Sequence, residues 1–351
     1  MTLRRDFMKM AGSASALSLL YPHLSLAQSR RPMVYACTGG STGKMEQDIF
    51  VDPAAKALNM DIRLDGTMSP AKVEAMVKAN AVEWDVVSYT GGFMHAGAEK
   101  GLLMPVDRSI VDQTVLEPAL RSDYGTNISS GAIVIAWNTK KYGPNAGPQS
   151  WAEFWDIKRF PGSRAMYKSS DYLCESALRA AGLRFDEIYP LTDEKLKIVF
   201  GKLRELKPHV SLWYTQGAVP AQALATGQID LALTTTGRIM IVKGEGAPVA
   251  WTMKDGFINV FSLTVPKGTP YAKEAMQLMS YAIGEAAQTK LLSSGSYGPV
   301  RASVISKATP EQRKYLSFAP ENRSAMLLIN YQELAKVGIK YAKEWTNFFA
   351  G

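Results

Sequence analysis

The chain has 351 residues and a formal net charge of +8, with 40 lysines and arginines against 32 aspartates and glutamates. The basic residues are scattered and form no dense run. This argues against a nucleic-acid partner and indicates a role in solubility, with a bias towards anionic ligands. A chain of this length exceeds what one compact core usually supports, so two lobes are expected.

Residues 1–27 are predicted to be an export leader. Arg4-Arg5-Asp6-Phe7-Met8-Lys9 fits the twin-arginine pattern, a weakly apolar run extends to about Tyr21, and Ser25-Leu26-Ala27 supplies small residues for cleavage. We therefore expect cleavage near Ala27 and a periplasmic location, by the twin-arginine or the general secretory route. No later segment reaches transmembrane length without charges, so we expect a soluble protein, and we expect it to be a monomer.

The two cysteines are Cys37 and Cys174. An oxidising compartment permits a disulfide, but two cysteines do not make a disulfide framework. A bridge between them would join the two predicted lobes and hold the cleft shut. The sequence therefore favours two buried thiols that act as small apolar residues.

Short strands alternate with helices along the first part of the chain. Strands are predicted at Met33–Cys37, Met60–Leu64 and Asp85–Tyr89, and helices from near Lys44, from Ser69-Pro70 and over Phe93–Lys100. This alternation predicts an α/β fold with open, mainly parallel sheets. In such folds ligands bind beyond the carboxyl ends of the strands.

The alternation continues through the rest of the chain. An apolar strand at Ile133–Trp137 precedes a short helix in which Ser150 is the cap and Trp151, Phe154 and Trp155 share one face; Phe160-Pro161-Gly162 ends it. The later predicted elements are strands near Arg164–Tyr167, Val210–Tyr214, Gly227–Gly237 and Phe257–Val265, and helices at Tyr172–Ala181, Asp193–Leu206, Pro220–Thr226 and Tyr271–Ile283.

The Ser-Trp-x-x-Phe-Trp-Asp helix closed by Phe-Pro-Gly resembles the element that opens the second lobe of periplasmic solute-binding proteins of ABC importers. It looks most like the spermidine/putrescine- and iron-binding branch of extracellular solute-binding family 1. Five further segments resemble this family, in its order, across about residues 32–300: Gly101–Asp107, Gly227–Gly237, Phe257–Gly268, Tyr271–Ile283 and Ser294–Val300.

This resemblance implies a two-lobed, type II periplasmic binding protein fold, with hinged open sheets and a ligand cleft between the lobes. Lobe 1 is expected to comprise residues 28–136 and 266–310, and lobe 2 residues 137–265. Two crossing strands, near 137 and 265, are expected to act as the hinge. Residues 311–351 are expected to form C-terminal helices that pack on the lobes.

The resemblance also implies a function. The chain is expected to be the substrate-binding component of an ABC transporter that captures a small polar organic solute, polyamine-like, and delivers it to permease and ATPase subunits. An anionic or zwitterionic solute, such as a carboxylate, a phosphonate or an amino-acid-like molecule, is an alternative. A second alternative is an exported enzyme on the same fold, which would turn its substrate over.

Signs of catalysis or of a bound cofactor are lacking in the sequence. After the leader the only histidines are His95 and His209, and no Cys/His cluster has metal-ligand spacing. Gly39–Gly43 lacks the lysine of a phosphate-binding P-loop. No Tyr-Tyr pair offers an iron site, and Trp213-Tyr214 would place its side chains on opposite sides of a strand. We therefore predict no catalytic residue, no metal and no cofactor.

Candidate ligand-binding residues lie mostly where strands end. The first lobe supplies Thr38, Gly39, Gly40, Ser41, Thr42, Ser88, Tyr89 and Thr90. The second supplies Ser169, Ser170, Asp171, Tyr172, Trp213, Thr235, Thr236 and Arg238, and the returning chain supplies Asn259, Phe261 and Tyr297. Each Ser or Thr is also explained as a helix cap or a turn residue. The glycine-rich loop is the better candidate, because its backbone amides suit an anion or a carbonyl.

The charge of the ligand stays open at this point. The positions where the resemblance places acids for a polyamine fall near Ser169, Tyr172 and Phe261, which are not acidic. The acids Asp171 and Glu175 and the aromatic residues Trp213 and Trp251 are nearby, so an amine still fits. Arg238 is either a bidentate clamp for a carboxylate or a surface charge on the helix after Thr236.

Overall fold

The computed structural model describes residues 31–295 and 297–350, so the predicted leader at 1–27 lies outside the described residues. Met33–Gly351 form one compact unit. Within the described ranges, no helix combines the length and apolar character that a membrane span requires.

The described strands form one mixed sheet. Its order is β2-β1-β3-β8-β4-β7-β5-β6, with β9 beside β8. The strands are β1 (Met33–Ala36), β2 (Ile62–Asp65), β3 (Val86–Thr90), β4 (Thr126–Asn138), β5 (Arg164–Tyr167), β6 (Val210–Tyr214), β7 (Leu231–Thr235), β8 (Val249–Thr264) and β9 (Leu327–Leu328). The sequence predicts open, mainly parallel sheets. Two parallel groups, β1-β2-β3 and β5-β6-β7, are present, and β4 and β8, which pair antiparallel along most of their length, join them.

Helices connect and cover these strands. They are α1 (Gly40–Glu46), which continues through a π-helical turn (Gln47–Val51) into α2 (Asp52–Leu58), α3 (Pro70–Lys78), α4 (Gly91–Glu99), α5 (Thr139–Tyr142), α6 (Trp151–Trp155), α7 (Leu173–Ala180), α8 (Phe185–Ile188), α9 (Asp193–Leu206), α10 (Val219–Thr226), α11 (Thr236–Gly244), α12 (Ala272–Ala282), α13 (Glu285–Ser294), α14 (Ala302–Ile305), α15 (Pro310–Arg313), α16 (Pro320–Arg323), α17 (Tyr331–Lys340) and α18 (Ala342–Ala350).

The short aromatic helix α6 forms as its sequence predicts. The Ser150 hydroxyl accepts a hydrogen bond from the Glu153 amide at 3.2 Å, which satisfies one free donor of the first turn. Trp151 is fully buried and stacks on Phe257 of β8 with ring centroids 5.2 Å apart. The Trp151 amide also donates to the Asp255 carboxylate at 2.8 Å. The aromatic face of α6 thus fixes this helix to the long strand β8.

Helix α1 begins earlier than expected, at Gly40 rather than near Lys44. The cause is Gly39, whose φ of +67° turns the chain directly from β1 into the helix. A side chain at Gly39 would also lie 2.8 Å from the Gly66 carbonyl oxygen. The glycine-rich segment Gly40–Thr42 is therefore the first turn of a helix and not a loop.

The C-terminal part differs from the expectation of helices alone, because β9 adds a strand to the sheet beside β8. Helix α17 packs on α4, where the Tyr331 ring lies against Gly91. On α18, Trp345 and Phe348 pack against Phe200 of α9. The C-terminal residues are thus an integral part of the core.

Both cysteines are unpaired and buried, as the sequence favours. Burial raises the pKa of the Cys37 thiol to about 11 and raises that of Cys174 as well. Both side chains are therefore neutral at physiological pH.

Candidate functional site

The carboxyl ends of two strand groups face each other. β1 and β3 lead into α1 and α4, whereas β5 and β7 lead towards α7 and α11. A hydrogen bond joins the two sides, because Arg238 Nη1 of α11 donates to Ser41 Oγ of α1 at 2.6 Å. The space between these strand ends is called the cleft below, and the middle of the paired strands β4 and β8 forms its floor.

A cationic end of the cleft surrounds Arg238. Thr42 Oγ1 and the Tyr297 hydroxyl share a hydrogen bond of 3.1 Å, and the Tyr297 ring meets Phe261 edge-on at 5.3 Å. Burial raises the pKa of Tyr297, and the nearby charge of Arg238 opposes this rise. Ser41, Arg238 and Tyr297 also line a cavity of about 390 Å³. This end presents one guanidinium among hydroxyl groups.

An anionic end of the cleft surrounds Asp171. Its carboxylate has no ion-pair partner among residues 31–295 and 297–350, and burial raises its pKa to about 6. Burial, and after it the negative charge of Asp171, raises the pKa of three tyrosines: Tyr89 of β3, Tyr167 of β5 and Tyr172 before α7. These hydroxyls stay protonated at neutral pH. The arrangement is a carboxylate among aromatic rings, a setting that suits an ammonium group.

Tyr172 adopts an unusual backbone conformation for a bulky residue, with φ +67° and ψ −18°. Such left-handed residues cost of order 1–3 kcal/mol and concentrate at functional sites. Here the turn carries Asp171 and Tyr172 from the end of β5 into α7. The Tyr172 side chain reaches β8, where Asn259 Nδ2 donates to the Tyr172 hydroxyl at 3.4 Å.

Several predicted site residues are used to hold the structure. The Ser88 hydroxyl donates to the Glu46 carboxylate at 2.7 Å, and the Thr236 hydroxyl accepts from the Ala132 amide at 3.3 Å. The Ser169 hydroxyl accepts from the Asp171 amide at 3.3 Å and forms a local turn. These groups support the cleft by positioning its neighbours.

The remaining predicted residues occupy helix starts or other surfaces. Thr90 and Thr235 precede α4 and α11 without a side-chain cap, and the Ser170 carbonyl accepts from the Leu173 amide at 3.3 Å. Thr38 is exposed where β1 ends.

Trp213 is the clear departure from the predicted set. Its ring packs edge-on against Phe348 at 5.7 Å and Phe349 at 5.4 Å, beneath α18. The next residue of β6, Tyr214, points the other way and donates to the Leu233 carbonyl at 2.7 Å. The alternation of β6 therefore turns Trp213 towards the C-terminal helix, away from the other predicted ligand residues, and its role in binding stays a prediction.

The sequence did not identify three residues that lie near the cleft: Glu46, Tyr167 and Tyr331. Glu46 is buried, accepts from the Tyr35 hydroxyl at 3.1 Å as well as from Ser88, and has a pKa raised by burial to about 7. Tyr167 ends a predicted strand, so its position was a usable signal. Tyr331 comes from a distant helix, and nothing in its local sequence indicates the cleft.

Metal ligation finds no support in the part of the chain that the structure describes. No group of three or more histidine, cysteine, aspartate or glutamate side chains there is arranged to hold a metal ion. What the cleft offers is recognition chemistry: a guanidinium at one end, a carboxylate with aromatic rings at the other, and amide and hydroxyl groups between them.

Two strand groups joined by long crossing strands, with a polar cleft at their carboxyl ends, define a substrate-binding protein of the ABC-transporter class. Residues 51–316 match the family model described as bacterial extracellular solute-binding protein. The chain belongs to this family. Members are the ligand-binding components of importers, acting with permease and ATPase subunits rather than as enzymes, and membership implies a periplasmic location.

Two curated relatives differ in what they bind. The chain is 29% identical over 314 residues to a gamma-aminobutyric acid-binding protein of Pseudomonas aeruginosa, covering 88% of each chain. It is 25% identical over 279 residues to spermidine/putrescine-binding periplasmic protein 1 of Haemophilus influenzae, covering 76% of this chain and 75% of the relative.

A solved structure extends the comparison. The binding protein MotA from A. tumefaciens B6, in complex with glucopine, is 30% identical with a TM-score of 0.83, covering 90% of this chain and 99% of that one. The two-lobed α/β fold expected from the sequence is confirmed. The expected spermidine/putrescine type is not confirmed.

Proposed function

We propose that this protein captures an amino-acid-like zwitterion, in which an ammonium and a carboxylate are separated by several atoms, and delivers it to an ABC permease. This is the alternative that the sequence left open, and it takes the place of the polyamine reading. The ligand would lie along the cleft, with its carboxylate at Arg238 and its ammonium at Asp171.

The observation that carries this proposal is the presence of two opposite charges at different places in one cleft. Burial is the cause of the raised pKa of Asp171, whereas the charge of Arg238 acts on Tyr297. Tyr172, Asn259 and Tyr297 lie between the two. A ligand that neutralises both ends therefore needs one charge of each sign and a spacer between them.

The positive charge of Arg238 should make the cleft select such a zwitterion over a polyamine. A diamine of similar length would place its second ammonium beside Arg238, and like charges in a partly desolvated site repel. A carboxylate at the same place can accept from the guanidinium and from the Ser41 hydroxyl. The relatives that are named for gamma-aminobutyric acid and glucopine support the same choice.

Calorimetric titration of the purified protein with four related compounds tests the proposal. Gamma-aminobutyrate carries both charges, butyrate only the carboxylate, butylamine only the ammonium, and putrescine two ammonium groups. We expect tight binding of gamma-aminobutyrate alone. Ligand at 100 times its dissociation constant should also add ~2.7 kcal/mol of stability, visible as a raised melting temperature. After incubation with the protein, the NMR spectrum of the ligand should be unchanged, whereas an enzyme would convert the ligand to a product.

Two variants test which residue binds the ligand ammonium and which binds the ligand carboxylate. Asp171→Asn should reduce gamma-aminobutyrate binding to the level of butyrate, and Arg238→Ala to the level of butylamine. The exposed pair Arg184 and Asp186 on α8 supplies matched controls, Arg184→Ala and Asp186→Asn, which should bind normally. Putrescine binding more tightly than gamma-aminobutyrate would restore the polyamine interpretation, and butyrate binding equally well would leave Asp171 without a role.

A further inference from the structure

One polar atom on the cleft floor lacks a partner. Asn259 is 3% exposed, and its Oδ1 accepts no hydrogen bond from the residues that the structure describes. Its Nδ2 donates to the Tyr172 hydroxyl at 3.4 Å. Buried acceptors are nearly always satisfied, so an unsatisfied one beside a ligand cleft indicates a donor that arrives with the ligand.

A glycine of the neighbouring strand makes space for this oxygen. Asn259 of β8 pairs in register with Gly131 of β4, and a Cβ at Gly131 would lie 2.8 Å from Asn259 Oδ1. The same Cβ would lie 3.7 Å from the Tyr297 ring. The absent side chain therefore leaves space for the Asn259 amide oxygen itself, beside β4 and close to the Tyr297 ring.

We propose that Asn259 Oδ1 is a second acceptor for the ligand ammonium, beside Asp171, and that the site thereby selects a primary ammonium over methylated ones. The inference rests on the proposed function and deepens it. A primary ammonium has three N–H donors, enough for the Asp171 carboxylate and the Asn259 carbonyl together. A trimethylated group has none, so it would press methyl groups against the buried oxygen and leave it unsatisfied.

The tyrosines near Asp171 suggest the opposite selectivity, in which methylated ammonium groups bind more tightly. Aromatic cages bind quaternary ammonium groups through cation–π attraction, without any N–H donor. Tyr89, Tyr167 and Tyr172 would supply such a cage if they governed selectivity. The unsatisfied amide oxygen favours hydrogen bonding instead, so the degree of methylation separates the two mechanisms.

The test measures dissociation constants for gamma-aminobutyrate and its N-methyl and N,N,N-trimethyl derivatives, and for butylamine with the same series. In the native protein each series should weaken with methylation, by at least about ten-fold for the trimethyl compound. Asn259→Ala should shrink this ratio towards one. Gly131→Ala, which displaces the amide oxygen but retains Asn259, should do the same. Because the readout is a ratio, a loss of overall affinity does not imitate it.

Equal or tighter binding of the trimethyl compound would overturn the proposal, as would an unchanged ratio in both variants. The butylamine series keeps this result separate from the proposed function. If butylamine binds as tightly as gamma-aminobutyrate, the zwitterion proposal fails while the methylation ratio still decides the role of Asn259. If no amine binds, both proposals fail.

Discussion

At the scale of the residue, Asp171 is a charge that the unliganded protein stabilises poorly. Its carboxylate lies close enough to Tyr89, Tyr167 and Tyr172 to affect their pKa values, and no arginine or lysine is paired with it in the described ranges. Burial raises the pKa of Asp171 to about 6. A raised carboxylate pKa means that the folded protein disfavours the ionised form. A ligand ammonium would supply the missing positive charge, so binding should restore the ionised state.

This arrangement predicts pH-dependent binding. As the pH falls through about 6, Asp171 takes up a proton and loses the charge that attracts the ammonium. The dissociation constant of gamma-aminobutyrate should therefore rise by up to about ten-fold between pH 6 and pH 5. The stability of the unliganded protein depends on pH in the opposite direction. The neutral form of Asp171 avoids a buried charge, and the stability gained in this way is lost as the pH rises through about 6.

Calorimetry between pH 5 and pH 8 measures the effect. Glu175 and Glu46 also have pKa values raised to about 7, so the native profile alone does not assign the group. The Asp171→Asn variant shows whether Asp171 is the titrating group. It should bind gamma-aminobutyrate more weakly, and its dissociation constant should not change near pH 6. A native profile that is flat across this range would contradict the role given to Asp171.

At the scale of the element, helix α17 packs against the first residues of α4. The ring of Tyr331 lies against Gly91, and a Cβ at that glycine would approach Tyr331 Cδ2 to 2.7 Å and Val260 Cγ2 to 3.3 Å. Tyr331 is 3% exposed, so its ring is packed inside the protein. Glu333 of the same helix accepts from the Leu191 amide at 3.1 Å. Helix α17 therefore contacts elements from both strand groups.

Gly91→Ala should destabilise the protein by about 1–3 kcal/mol, because the added methyl group overpacks a contact that cannot relax. Gly201 in the middle of α9 is the matched control, since a Cβ there meets nothing within 4 Å. Gly201→Ala should stabilise by about 0.5–1 kcal/mol through helix propensity. Urea unfolding midpoints compare the two. A gain of stability in both variants would mean that Tyr331 is loosely packed.

Elements with local signals could be predicted from the sequence, and elements set by distant contacts could not. Ser150 and the Trp-Phe-Trp face specify α6 within one helical turn, and α9 and β6 match their predicted bounds. The start of α1 depends on the approach of Gly39 to Gly66, and β9 exists only because β8 lies beside it. Asp171 and Arg238 follow strand ends, which the sequence indicates. The packing of Trp213 beneath α18 and the contact of Tyr331 with Gly91 depend on C-terminal helices that are distant in sequence.

At the scale of the whole molecule, β4 and β8 are the elements shared by both strand groups. They have 13 and 16 residues, pair with each other along most of that length, and carry two register shifts in their pairing. Outside these strands, the cleft is bridged by polar contacts such as that of Arg238 with Ser41. Hydrogen bonds of this kind exchange easily with water, whereas the strand pairing does not. We therefore expect bending about β4 and β8, with the lobe boundaries near 137 and 265.

Small-angle scattering with and without gamma-aminobutyrate tests this expectation. The ligand should lower the radius of gyration, because a ligand held by Arg238 and Asp171 of lobe 2 would also contact lobe 1 groups such as Ser41 and Tyr89, and would thereby favour the closed population. Arg238→Ala should bind about 10–100-fold more weakly, the cost of losing a hydrogen bond to a charged group. At saturating ligand it should also contract less than the native protein, whereas Arg184→Ala should contract normally. An unchanged radius of gyration in the saturated native protein would mean that the cleft is preformed, and recognition would then depend on fixed charges rather than on hinge closure.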